Sequence, residues 1–290
     1  MSGIRHLWRA PVWREQSTKV REGAGLVFAS NEAPETYRQR LIQEIIAGHP
    51  DAAAAYRIIL EAIDRIPDPS IREHLRLHEV RYLMTYVLVP KGPGRLIDVY
   101  DTCAPALELL KSWSIERITA SGFDFERDRI PFDNNSVDGM LLCEVIEHFI
   151  TDPMFCLIEI NRILRHGGFL ILTTPNAASW FTIYQALRHK QPNRWAQYGV
   201  HEQQLHSIHA REYVPSEIKM ILEAAGFGDI EIVTSDYGVS PPYRPIPGFE
   251  QTHRGETIFC RAYKRSGPRM RFVHPIYTED KSYEAGGGAP

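Results

Sequence analysis

IPFDNNSVDGMLLCEVIEHF, residues 130–149, decides the fold. From Val137 to Cys143 it is a short, almost wholly apolar run, the pattern of a strand buried on both faces. The pattern after it predicts a helix from Glu144 to Phe149. Asp152-Pro153 then opens a longer helix to Leu164, the aspartate able to accept from free amides and the proline suited to a first turn. His166-Gly167-Gly168 breaks that helix, and FLILTT (169–174) is a second buried strand. Strand, helix, strand in this order is a parallel crossover unit.

The same alternation extends outward. Upstream, RLIDVYD (95–101) reads as a strand, Pro105 to Trp113 as a helix and Glu116 to Ala120 as a strand. Downstream, Ala177 to His189 is a helix, Pro215 to Ala225 is a helix closed by Gly226, and Ile230–Thr234 and Thr257–Tyr263 are strands. A mainly parallel sheet covered by helices on both faces follows. Ahead of it lie helices at Tyr37–Ala47 and Asp51–Ile63. A third runs up to Pro90, with Ser70 and Glu73 spaced as a capping box. We divide the chain into an arm (1–33, with Trp8 and Trp13), a helical extension (34–90), a sheet domain (91–265) and a polar tail (266–290) ending in a segment expected to be disordered.

Composition narrows the class. The 290 residues are 43% hydrophobic and 24% charged, enough apolar matter for a large core. A formal net charge of -3 supplies no broad basic field, which argues against nucleic acid as a general partner. Cys103, Cys143, Cys156 and Cys260 form no CxxC pair, so neither a zinc ribbon nor a disulfide framework is read, and reduced thiols in a cytoplasmic setting are expected. No apolar run reaches the ~18 residues of a membrane span, and the first residues lack the apolar stretch of a signal peptide.

From about Arg95 to Lys264 the chain resembles the class I methyltransferases that use S-adenosylmethionine (SAM). The resemblance rests on residues 130–149, on EINRILRHGGFLILTTPN (159–176), on HAREYVPSEIKMILEAAGF (209–227) and on GETIFCRAYK (255–264), in the family's order. It implies a Rossmann-like three-layer sandwich with the helical extension added, and SAM as cofactor at the carboxyl ends of the strands. By position it implies cofactor contacts at Asp98, Tyr100, Thr102 and Cys143, and an adenine-facing acid at Asp124 or Glu126. The first turn departs from the family. Tyr100 and Thr102 stand where glycines let the ligand approach the backbone, and no acid stands near Ala120-Ser121 to hold the ribose. Two readings follow: a methyltransferase with an altered turn, or a methyltransferase fold without SAM that works as a binding partner of another protein.

Glu144, Glu147 and His148 have i, i+3, i+4 spacing, which on a helix puts all three on one face. Two carboxylates and an imidazole suit Mg²⁺, Mn²⁺ or Zn²⁺. The E-x-x-E-H pattern resembles the small-RNA 2′-O-methyltransferases and the O-methyltransferases of ubiquinone biosynthesis. That resemblance implies a further ligand at His206 or His209, and an acceptor with two neighbouring hydroxyls, such as a sugar, a catechol or an RNA 3′ end. The metal-free alternative makes His148 the general base, with Glu144 and His209 beside it. His201, Glu202, His206 and His209 do not form H-E-x-x-H and read as an acceptor-side loop. Trp180, Phe181, Tyr184 and Trp195 read as a cover over the core or an aromatic floor. Val214 stands where a capping hydroxyl is expected, so the helix from Pro215 should start weaker by about 1 kcal/mol. The sequence reading is therefore a SAM-dependent O-methyltransferase of a small hydroxylated metabolite or sugar, with the non-enzymatic scaffold and the metal-dependent RNA methyltransferase as alternatives.

Overall fold

A computed structural model describes residues 30–99, 104–107, 109–118, 123–192, 208–238 and 242–269. The sheet has six strands: β1 (Gly94–Val99), β2 (Trp113–Ile118), β3 (Val137–Cys143), β4 (Leu164–Pro175), β5 (Phe227–Ser235) and β6 (Thr257–Lys264). Their order is β2-β1-β3-β4-β6-β5. The first four are mutually parallel, while β6 runs antiparallel between β4 and β5. The run that opened the sequence reading forms β3 with the expected limits.

Both faces of the sheet are covered, and β3 shows how. Met140 and Leu142 point to one face, where Leu157 and Ile160 of α6 (Pro153–Ile163) and Ile218 and Leu222 of α8 (Pro215–Ala224) complete the core. Leu141 and Cys143 point to the other, against Leu88, Val89, Leu107 and Leu110. Alternate side chains of one strand thus feed two separate cores. α6 opens as expected, with the Asp152 carboxylate accepting from the amides of Met154 and Phe155. α8 starts at Val214 without a side-chain cap, also as expected, and ends at Gly226, whose φ is 92°. α7 (Trp180–Leu187) follows β4 and is shorter than anticipated.

The extension consists of α1 (Pro34–Gly48), α2 (Ala52–Asp64), α3 (Pro69–Leu77) and α4 (Glu79–Leu88). Ile42, Ala55, Ile59, Ile63, Val80 and Leu83 form its own core, shared with Ala106 after β1. Two expectations are corrected here. Asp68, not Ser70, is the cap of α3 and accepts from the amides of Ser70 and Ile71. The single third helix is two, parted at His78, whose φ of -106° and ψ of 12° leave the helical range. Two further differences concern the sheet domain. β2 begins at Trp113, three residues earlier than the expected Glu116, and α5 (Ala104–Leu107) stands at the start of the expected Pro105–Trp113 helix, whose described residues 109–112 are not helical. No described helix is long and apolar enough to cross a membrane.

The extension holds the sheet domain at the link between β5 and β6. The Tyr37 hydroxyl donates to Asp236 at 2.5 Å. A Cβ on Gly238, whose φ is 71°, would lie 2.5 Å from Cβ of Arg38, so this position admits only glycine. Gly139 is constrained by packing instead. A Cβ there would lie 2.2 Å from Cζ of Phe169 on the neighbouring strand. Gly139→Ala should lower stability by about 1–3 kcal/mol in denaturant unfolding, and adding Phe169→Leu should restore part of the loss by opening that space.

Candidate functional site

In an open sheet, ligands bind outside the carboxyl ends of the strands where the order reverses. Here the reversal lies between β1 and β3. Asp98, fully buried near the end of β1, and Cys143, fully buried at the end of β3, stand at that crevice. Tyr100 and Thr102 lie outside the described residues, as do His201, Glu202, His206 and Trp195. Of the two acids proposed for adenine, Glu126 accepts from the amides of Ile150 (2.9 Å), Thr151 and Asp152 (2.5 Å), so it organises the loop after the β3 segment. Asp124 accepts from the Glu126 amide at 2.9 Å on an exposed turn, with Arg127 3.7 Å away.

The chain leaves β3 through a left-handed residue, Glu144, with φ 55°. The expected helix is absent. A single 3₁₀ turn over Ile146–His148 takes its place. This corrects the one-face argument for Glu144, Glu147 and His148, because spacing of three and four residues shares a face only on a helix; Glu144 stands outside the cluster that the other two form, while its charge still acts on Glu147. Glu144 accepts from the Thr173 hydroxyl at 2.8 Å and the Tyr237 hydroxyl at 2.9 Å, and Arg81 of α4 lies 3.6 Å from it. The extension therefore places a buried cation in the site. His78 stands beside it, its ring edge-on to Tyr237 with centroids 5.3 Å apart.

Glu147 and His148 instead meet His209. One ligand atom from each of the three lies within 4.8 Å of the others. His209 arrives on the segment before α8, which is tied down at several points. The Arg211 amide donates to the Glu147 carbonyl at 3.2 Å, the Ala177 amide to the Tyr213 carbonyl at 2.9 Å, and Tyr213 bridges to Asn176 at the end of β4. The His148 Nδ1–H donates to the Ile208 carbonyl at 2.8 Å, which leaves the lone pair on Nε2. The His148 and His209 rings pack edge to face, centroids 4.9 Å apart.

Glu147 is wholly buried. One carboxylate oxygen accepts from Thr174 at 3.0 Å, and Oε1 has no hydrogen bond. Burial, and next the charge of Glu144, push its pKa well above the usual carboxylate value, while Thr174 and Arg81 act against the rise. A buried carboxylate oxygen aimed at two imidazoles is the chemistry of a divalent-cation site or of a shared proton.

Sequence reasoning missed Arg81, Thr173, Thr174, Glu212 and Tyr237. Arg81 and Tyr237 belong to no motif and reach the site through contacts distant in sequence, while Thr173, Thr174 and Glu212 lie inside quoted blocks in which nothing marks them as site residues. The aromatic segment resolves as packing for Trp180 and Tyr184, which are buried, Tyr184 stacking on Tyr243 with centroids 5.3 Å apart. Phe181 lines a small cavity with Asn176, Glu212, Tyr237 and Glu256.

Residues 88–172 match the family model described as a methyltransferase domain. Over 98 residues the chain is 31% identical to a probable S-adenosylmethionine-dependent methyltransferase of Mycolicibacterium smegmatis, covering 34% of this chain and 31% of that protein. The chain thus spans about a third of the length of that curated relative. Among solved structures, a SAM-dependent methyltransferase of Thermotoga maritima, described as a possible histamine N-methyltransferase, aligns at 18% identity and a TM-score of 0.45, covering 73% of this chain and all of its own. One from Archaeoglobus fulgidus aligns at 16% and 0.42, covering 66% and 94%.

The raised pKa of Glu147 gives a stability test. A carboxyl that folding makes harder to ionise stabilises the fold below its unfolded pKa, and that contribution is lost as pH rises toward the folded value. Glu147→Gln should therefore melt higher than the parent at neutral pH and no higher near pH 4, measured by thermal unfolding across pH. Equal melting curves at neutral pH would contradict the buried-carboxyl account. The segment that matches the methyltransferase-domain model, residues 88–172, thus carries β1 to β3 and most of β4, the strands that flank the crevice where the sheet order reverses.

Proposed function

We propose that the protein is a SAM-dependent methyltransferase that methylates a hydroxyl of a small acceptor carrying two neighbouring hydroxyls, assisted by a divalent cation held by Glu147, His148 and His209. The observation that carries this reading is the convergence of those three side chains beside the cofactor crevice, with Glu147 Oε1 buried and not hydrogen-bonded. The donor set of one carboxylate and two imidazoles fits Mn²⁺ or Zn²⁺ better than an all-oxygen ion such as Mg²⁺. SAM would lie at the crevice between β1 and β3, where the strand order reverses and the buried Asp98 and Cys143 stand.

When bound, SAM supplies an electrophilic methyl on its sulfonium, and the cation lowers the pKa of a hydroxyl that it ligates. The chain's own part is placement. The 3₁₀ turn and the segment before α8 hold three donors around one point, and the Ile208 carbonyl keeps the Nε2 lone pair of His148 available. Without a cation, the same lone pair makes His148 the base for the acceptor hydroxyl. Arg81, Thr173 and Tyr237 fix Glu144 in one orientation on the adjoining wall. Attack then needs little beyond alignment of oxygen, methyl carbon and sulfur, which a rigid site provides.

Calorimetric titration with SAM and S-adenosylhomocysteine, with and without Mn²⁺, tests the assignment. Micromolar nucleoside binding supports the enzyme reading. No heat from folded protein would favour the scaffold reading, which Tyr100 and Thr102 at the glycine positions suggest. Mn²⁺ binding should weaken at least tenfold in Glu147→Gln and in His148→Ala, and should weaken as pH falls, because protons compete for the same carboxylate and imidazoles.

A further inference from the structure

The segment that delivers His209 also carries an acid that the site has not yet used. Glu212 lies three residues on in the same irregular segment, with Oε1 3.8 Å from His209 Nδ1, and both side chains are more than nine-tenths buried. That oxygen has no hydrogen bond. A buried carboxylate is costly unless a donor faces it, and the imidazole is the facing group. Arg211, the neighbouring cation, turns the other way to pair with Glu217 of α8. The arrangement parallels that of His148, whose Nδ1 is held by the carbonyl of Ile208 on the same short segment. Residues 208–212 thus bring one histidine to the site and an oxygen facing each Nδ1, hydrogen-bonded at 2.8 Å for His148 and 3.8 Å away, longer than a hydrogen bond, for His209.

We propose that Glu212 is a positioning residue that selects the Nδ1–H tautomer of His209, so that Nε2 of both histidines is presented to the acceptor side as ligand or base. The consequence is chemical rather than structural. An imidazole protonated on Nε2 would turn a donor toward the place where a lone pair is needed, and a carboxylate facing Nδ1 disfavours that state. The orientation part of the proposal stands without a metal; its effect on affinity rests on the cation reading above.

Two measurements separate these parts. In protein labelled with ¹⁵N-histidine, two-bond ¹H–¹⁵N correlation reports which ring nitrogen carries the proton. His209 should be Nδ1–H in the parent protein and shift mainly to Nε2–H in Glu212→Met, which keeps the length and loses the acceptor. Glu212→Ala serves the same comparison should the methionine variant not fold. An Nε2–H or doubly protonated His209 in the parent, or an unchanged tautomer in the variants, would overturn the proposal and leave Glu212 to the small cavity that it lines with Phe181 and Glu256. In the second measurement, Mn²⁺ affinity should fall ten- to a hundredfold in the variant while nucleoside binding is unchanged. A parent protein that binds no Mn²⁺ removes the cation reading, and the tautomer still decides the role of Glu212.

Discussion

The reversal at Glu144 is the constraint on which the site depends. A strand that ends at the carboxyl edge of a parallel sheet must leave it sharply, and here the turn is made by a non-glycine residue in the left-handed region. Such a conformation persists only where the surroundings over-determine it. Thr173 from β4, Tyr237 from the β5–β6 link and Arg81 from the extension all hold the Glu144 side chain. With Glu144 fixed, the next turn of chain brings Glu147 and His148 to the segment that carries His209.

What the sequence shows and what it hides differ in physical kind. Val137–Cys143 was legible because a strand buried on both faces has no freedom in its composition. The Asp152-Pro153 start and the Gly226 stop were legible because capping is local chemistry. The Ser70 cap was misplaced because Asp68, two residues earlier, competes for the same amides and wins. The break at His78 leaves no proline or glycine to mark it. The error of most consequence lay at Glu144. Spacing of three and four residues means a shared face only on a helix, and the backbone there is not helical. Glu147, His148 and His209, three of the five candidate ligands named from the sequence, lie together in the structure, whereas Arg81 and Tyr237 belong to no pattern that a single sequence displays.

Charge is arranged in the site with economy. Four acids (Glu144, Glu147, Glu212 and Glu256) lie near one another at the ends of β3, β4 and β6. Each meets a different fate: an arginine and two hydroxyls for Glu144, an ionisation held back by burial for Glu147, an imidazole for Glu212, and the Tyr237 amide for Glu256. Keeping like charges apart in this way lets a low-dielectric pocket remain polar without unfolding the sheet edge around it.

The grip of the extension on the sheet domain has a meaning for modularity. Sequence boundaries invite the view that residues 34–90 are an appendage that a family-sized domain has acquired. The contacts say otherwise. Tyr37 holds Asp236, Arg38 closes over Gly238, and Arg81 faces the carboxylate at the heart of the site. An extension taken from another protein would have to bring its own cation to Glu144, or leave that carboxylate to two neutral hydroxyls.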